Sequence, residues 1–239
     1  MRQPKAFIGT VILLIAVNCS VMAPSPLHAQ TPAPSLQSVL SQMDASATKF
    51  QDTQADITVD QYTAVVQDHQ TQTGSTAYRR VAGSMEMVIH LQAGNGAAAT
   101  EVLYKNGELD VYQPAANSET IISAGNNRGE YDSMLATGFG ATGKELSTAW
   151  TITFQGMESM EGVQAAKLDL VPKDPNIRNN FSHFTIWVDL ARDISLKQIE
   201  FQPDGDSRTV TYGNIRYNKH PAPSLFSLHV APGTQVTHK

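Results

Sequence analysis

Glu101-Val102-Leu103-Tyr104-Lys105-Asn106-Gly107-Glu108-Leu109-Asp110-Val111-Tyr112, EVLYKNGELDVY, is the stretch whose reading decides the fold. Asn106 and Gly107 both tolerate positive φ and stand between two short strand-like runs, the pattern of a tight hairpin. Upstream the same period of two recurs: Ala55, Ile57 and Val59 alternate with Asp56, Thr58 and Asp60, and Met85, Met87, Ile89 and Leu91 alternate with Glu86, Val88 and His90. Downstream, residues 119–123, 151–155, 165–171, 181–189, 195–202, 208–217 and 225–230 carry further strand patterns. Gly, Pro and Asp clusters such as Pro172-Lys173-Asp174-Pro175 and Pro203-Asp204-Gly205-Asp206 separate several of them. The expectation is a mainly β (α+β) chain built as one antiparallel meander of about eleven strands.

Only a few segments depart from that period. Leu36, Val39, Leu40, Met43, Ala47 and Phe50 recur at helical spacing behind Ser35, a capping residue. Residues 131–137 and 144–149 read as two shorter helical pieces. Strands with one apolar face need something to cover it, and the helices are the candidates. A single unclosed β-barrel with helices acting as a lid is therefore expected.

The first residues bear on compartment. Arg2 and Lys5 precede a short apolar run, residues 6–17, and small residues then lead to Leu27-His28-Ala29. This is the pattern of a signal peptide over residues 1–29, with residues 30–239 as the exported domain and the periplasm as its destination. Cys19, the only cysteine, lies in this leader behind Ala16-Val17-Asn18, a poor lipobox. The remaining chain has no cysteine, which excludes disulfides and thiolate chemistry. Residues 1–29 hold Arg2 and Lys5 and no acid, so without them the formal net charge moves from −5 to −7. An acidic chain without a basic cluster is a poor partner for nucleic acid.

Several motifs invite a chemical reading. Residues 138–145, GFGATGKE, match both G-x-G-x-x-G and most of a P-loop, yet Glu145 stands where Ser or Thr would hold Mg²⁺ and no parallel strand pattern precedes them. The three glycines read better as hinges, with Phe139 as an inward anchor between them. His69, His90, His183, His220, His229 and His238 form no H-x-x-x-H or H-E-x-x-H pair, and no G-x-S-x-G is present. Asp204 with Asp206, and Asp189 with Asp193, read as turn residues. The expectation is no enzyme, no catalytic residues, no metal and no cofactor. The methionines, Met85, Met87, Met134, Met157 and Met160, read either as ordinary core or as the lining of an adjustable apolar cavity.

The order of elements, with Tyr104-Lys105-Asn106-Gly107-Glu108-Leu109-Asp110-Val111-Tyr112-Gln113-Pro114, Leu168-Asp169-Leu170-Val171-Pro172-Lys173 and Val230-Ala231-Pro232-Gly233-Thr234-Gln235-Val236, resembles the outer-membrane lipoprotein carrier (LolA-like) family of Gram-negative bacteria. The resemblance covers nearly all of residues 35–236. It implies a monomeric periplasmic carrier that shields lipoprotein acyl chains, or another lipid, between an inner-membrane release complex and an outer-membrane receptor. The alternative it implies is an envelope-stress sensing module of the same fold that detects mislocalised lipoproteins. On this reading Met85, Met87, Ile89, Leu103, Leu109, Val111, Ile186, Val188, Ile199 and Phe201, with Met134, Leu135 and Phe139 from the lid, line the lipid-binding cavity. A one-residue slip in strand parity would exchange inward and outward residues. The family's basic segment, whose Arg helps hold the lid shut, has no match: Leu91-Gln92-Ala93-Gly94-Asn95-Gly96 follows the strand, and Arg79 and Arg80 precede it.

Overall fold

Most strands that follow one another in the chain pair with one another in space, as the hairpin pattern requires. The computed structural model describes residues 34–92, 98–125, 132, 134–135 and 137–239. The leader at residues 1–29, and residues 131, 133 and 136 of the helical piece at 131–137, lie outside the described residues. The strands are β1 (Asp52–Thr63), β2 (Asp68–Val81), β3 (Ser84–Gln92), β4 (Ala98–Lys105), β5 (Glu108–Gln113), β6 (Ser118–Ser123), β7 (Trp150–Met160), β8 (Val163–Pro172), β9 (His183–Asp189), β10 (Ile194–Phe201), β11 (Ser207–Tyr217) and β12 (Gln235–His238). Asn106 and Gly107 take φ of +56° and +83°, and their turn sets Tyr104 opposite Leu109 and Val102 opposite Val111.

All twelve strands form one sheet in the order β12-β6-β5-β4-β3-β2-β1-β11-β10-β9-β8-β7. The chain thus lays down two meanders, β1 to β6 and β7 to β11. Pairing of β1 with β11 joins them, with Ile57 opposite Tyr212 and Val59 opposite Val210. The order runs from β12 to β7 without returning on itself, so the barrel is unclosed.

The helices lie where the two meanders leave the sheet uncovered. In α1 (Leu36–Ala47) Ser35 and Ser38 cap each other's backbone amides, and Val39, Met43 and Ala47 are buried. α2 (Gly143–Ala149) begins at a capping box: Thr142 accepts from the Glu145 amide at 3.0 Å, and Glu145 accepts from the Thr142 amide at 2.8 Å. Asp132, Met134 and Leu135 are also helical. A short turn, α3 (Pro175–Arg178), links β8 to β9. Among the described residues no helix is long and apolar enough to cross a membrane.

Three expectations are corrected. β2 is an additional strand, hidden in the sequence because its first half, Asp-His-Gln-Thr-Gln-Thr, is exposed on both faces and carries no apolar alternation. Residues 225–230 are not a strand. Pro221 and Pro223 remove amide donors, the chain makes a 3₁₀ turn at Pro223–Leu225, and Phe226 buries itself against Ala77, Val88 and Leu103. The closing strand comes later, as β12, and it pairs with β6 in parallel, unlike the antiparallel remainder of the sheet.

Candidate functional site

One face of the sheet holds a continuous apolar cluster beneath the helices. Met85 and Met87 from β3, Ile186 and Val188 from β9, and Ala55, Ile57 and Val59 from β1 meet Val39 and Met43 of α1 and Leu146 of α2 there. Ile89, Leu109, Met134 and Leu135 pack on this cluster. Val111 shares the face, since it pairs with Val102, which also packs on it.

Leu103, Ile199 and Phe201, expected to face the same way, lie on the opposite side. The two-residue turn that sets Tyr104 opposite Leu109 necessarily sets Leu103 opposite Asp110, and Leu103 joins the cluster around Phe226. In β10 a bulge between Ser195 and Lys197 resets the alternation. Ile199 then packs with Trp187, Ala165 and Leu196, and Phe201 stacks on His183 at 4.2 Å. The turn register was readable from Asn106-Gly107; the bulge left no sequence signal.

The covered face is filled by the chain itself. Phe139 is 1 % exposed; its ring stacks on Tyr78 at 3.9 Å between centroids and meets Tyr212 edge-on at 5.0 Å. On each side of it a glycine allows close approach. At Gly138 (φ +79°) an added Cβ would lie 2.0 Å from the Ser195 hydroxyl, and at Gly140 (φ +68°) it would lie 2.4 Å from the Phe50 ring. These glycines serve close contact, with Ser195 of β10 and with Phe50 between α1 and β1, rather than free hinging. Clefts of about 180 and 560 Å³ do occur, but Met85, Met87 and Phe139 line neither.

Polar ties fasten the cover to separate strands. Gly140 donates its amide to the Asp193 carbonyl at 2.9 Å, Ser195 donates to the Gly138 carbonyl at 2.5 Å, and Phe139 bridges Ile194. From β10 the Gln198 side chain donates to the Thr137 carbonyl at 2.8 Å, and from β4 the Tyr104 hydroxyl donates to Asp132 at 2.6 Å. From β2 the Arg80 guanidinium donates to the Gly140 carbonyl and lies 3.7 Å from the Glu145 carboxylate. Arg80, which matched no motif in the sequence, is thus the basic side chain that touches this segment.

Half of the amides of GFGATGKE, those of Gly140, Thr142, Lys144 and Glu145, are consequently engaged. Gly140 and Thr142 donate within the fold, and Glu145 caps α2 where a phosphate would have to sit. Burial dominates the electrostatics beneath the cover. It raises the Tyr78 and Tyr212 hydroxyls above their ordinary range, and it pushes the Asp193 carboxyl up to about 8. Among the described residues no three His, Cys, Asp or Glu side chains are grouped to hold a metal ion.

No family model matches the chain, and no curated protein matches it in sequence. Solved structures do share the fold. An uncharacterized conserved protein from Thermus thermophilus aligns with a TM-score of 0.52 at 10 % identity, over 86 % of this chain and 100 % of the other. MucB aligns at 0.50 and 14 % identity, over 81 % of this chain; the chain spans only 62 % of MucB. A LolA superfamily protein from Nitrosomonas europaea, NE2245, also aligns, at 0.41 and 12 % identity, over 82 % of this chain and 99 % of the other. At such identities the likeness is one of fold alone.

Proposed function

We propose that the protein is a carrier of the cell envelope that holds lipoprotein acyl chains, or another lipid, against the covered face of its open barrel. The observation that carries this reading is the union of a methionine-rich apolar face with a cover held by one aromatic wedge and a handful of polar ties. Acyl chains require dispersion contacts and exclusion of water, and neither a covalent step nor a cofactor is needed. Each methylene moved from water is worth about 0.8 kcal/mol, whereas losing the packing of one large aromatic costs about 3–5 kcal/mol. Roughly four to six methylenes therefore offset displacement of Phe139, and a longer chain leaves a surplus. The chain length of an ordinary lipid is enough to open the cover and weak enough to let go when a receptor competes.

On this reading residues 1–29 are a leader removed on export, the domain works in the periplasm, and its partners are a donor at the inner membrane and an acceptor at the outer. A second reading, a sensing module for mislocalised lipoproteins, draws on the fold shared with MucB, which has been solved in complex with MucA(peri). The two are separated by what the purified protein holds and passes on. Organic extraction of protein purified without detergent, followed by mass spectrometry, should recover acylated species in stoichiometric amount, and these should transfer to acceptor vesicles. Empty protein that also fails to displace a fluorescent fatty acid would end the carrier reading.

A further inference from the structure

The turn between β9 and β10 contains a carboxylate that the carrier reading does not use. Asp193 is 0 % exposed, and neither of its carboxylate oxygens has a hydrogen-bond partner among the described residues. It stands at the stitch between cover and sheet. Its own carbonyl accepts the Gly140 amide, the next residue bridges Phe139, and the one after donates to Gly138. Any motion that lifts Phe139 out of the cluster must break these contacts and admit water to Asp193.

The surroundings with the cover shut disfavour a charge there. Arg80 on β2 is the cation facing it, but its guanidinium is engaged with the Gly140 carbonyl and with Glu145. Glu145 on α2 and Asp44 on α1 add negative charge from two sides. Tyr217 on β11 feels the same field, and within the turn Asp189 and Arg192 pair with each other at 2.6 Å. A buried carboxyl among acids, with its one facing arginine occupied, is held in its neutral form. Opening reverses each cause: water returns, and Arg80, released from Gly140, is left beside a carboxylate it can pair with.

We propose that closing the cover takes up a proton on Asp193, so that acid holds the cover shut and rising pH releases it. The proposal rests on movement of the cover and not on the identity of what binds beneath it. The sign follows from linkage. The shut state binds the proton more tightly than the open one, so the advantage of closing is complete below the ordinary carboxylate range and is lost progressively as pH rises to about 8. Within that window the opening equilibrium changes by up to about tenfold per pH unit, and above it the slope disappears.

Hydrogen exchange of the full protein, read by mass spectrometry from pH 5.5 to 8.5 and corrected for intrinsic exchange, tests this without any lipid. Protection of residues 137–146 should fall with pH and level off above about 8, while β8 and β9 stay constant. Asp193→Asn keeps the size and tolerates the left-handed backbone (φ +54°), so it should abolish the slope and leave the cover shut across the range. Glu145→Gln should retain a slope. Flat protection in the wild type, or a slope that survives in Asp193→Asn, overturns the proposal. Should that variant fail to fold, ¹³C titration of the Asp193 carboxyl in the wild type decides instead: an ordinary carboxylate value refutes it.

Discussion

Replacing Phe139 by Ala removes the wedge while leaving the glycines and polar ties on either side of it. The side chain is 1 % exposed and contacts both Tyr78 and Tyr212, so its loss falls at the usual cost of truncating a buried aromatic, about 3–5 kcal/mol. That cost is charged only to states in which the cover is shut. At about 1.4 kcal/mol per factor of ten, the opening equilibrium should rise by between roughly a hundred and a few thousand. The amides of Gly140 and Ser195, whose bonds to Asp193 and Gly138 break on opening, report it directly. Their exchange should accelerate by that factor, while amides of β8 and β9, bonded within the second meander, change far less. Global stability in urea should fall by no more than the free energy of closing, because an already open cover has nothing further to lose. Equal acceleration at every amide would mean that Phe139 is ordinary core and that the cover does not move as a unit; unchanged exchange at Gly140 would mean that it contributes no closure.

Other perturbations separate the ties from the scaffold. Arg80→Gln removes a charged donor from the Gly140 carbonyl and the partner of Glu145; a loss of about 1.5–3 kcal/mol from closure is expected, seen as stronger uptake of a fluorescent fatty acid at unchanged far-UV dichroism. Thr142→Ala breaks the capping box and should cost about 1 kcal/mol, measured by denaturant titration and confined to α2 in exchange. Asp52→Ala acts elsewhere: its carboxylate accepts from the amides of Lys219 at 2.9 Å and His220 at 3.2 Å, so the C-terminal segment should become sensitive to limited proteolysis beyond Asn218 while the cover keeps its protection.

What the sequence disclosed follows the physics of each signal. Asn106-Gly107, the period of two around it and the heptad-like stripe of α1 are local patterns, and all three elements were legible from them. The T-x-x-E of Thr142 and Glu145 is also a local helix-start pattern, but Glu145 was read only as the residue that spoils the phosphate motif. β2 was not legible, because its first half is exposed on both faces and needs no apolar alternation; its place is set by pairing with β1 and β3. Arg80 was passed over because the tie is made 60 residues away in sequence, to a carbonyl, which carries no residue code. The parity of Leu103 could have been obtained from the hairpin register, whereas that of Ile199 and Phe201 depends on the bulge in β10. Asp193 read as a turn residue, which it is, with φ of +54°; its burial depends on tertiary packing, which a turn pattern does not encode.

The most direct measurement is photo-crosslinking with a fatty acid that carries a diazirine along its chain, followed by mapping of the labelled residues. Labels at Met85, Met87, Leu109, Met134 and Phe139, reduced by competing unlabelled lipid, are the expected result. Labels confined to the opposite face, at Leu103, Ile199 or Phe226, or labelling indifferent to competitor, would contradict binding beneath the cover.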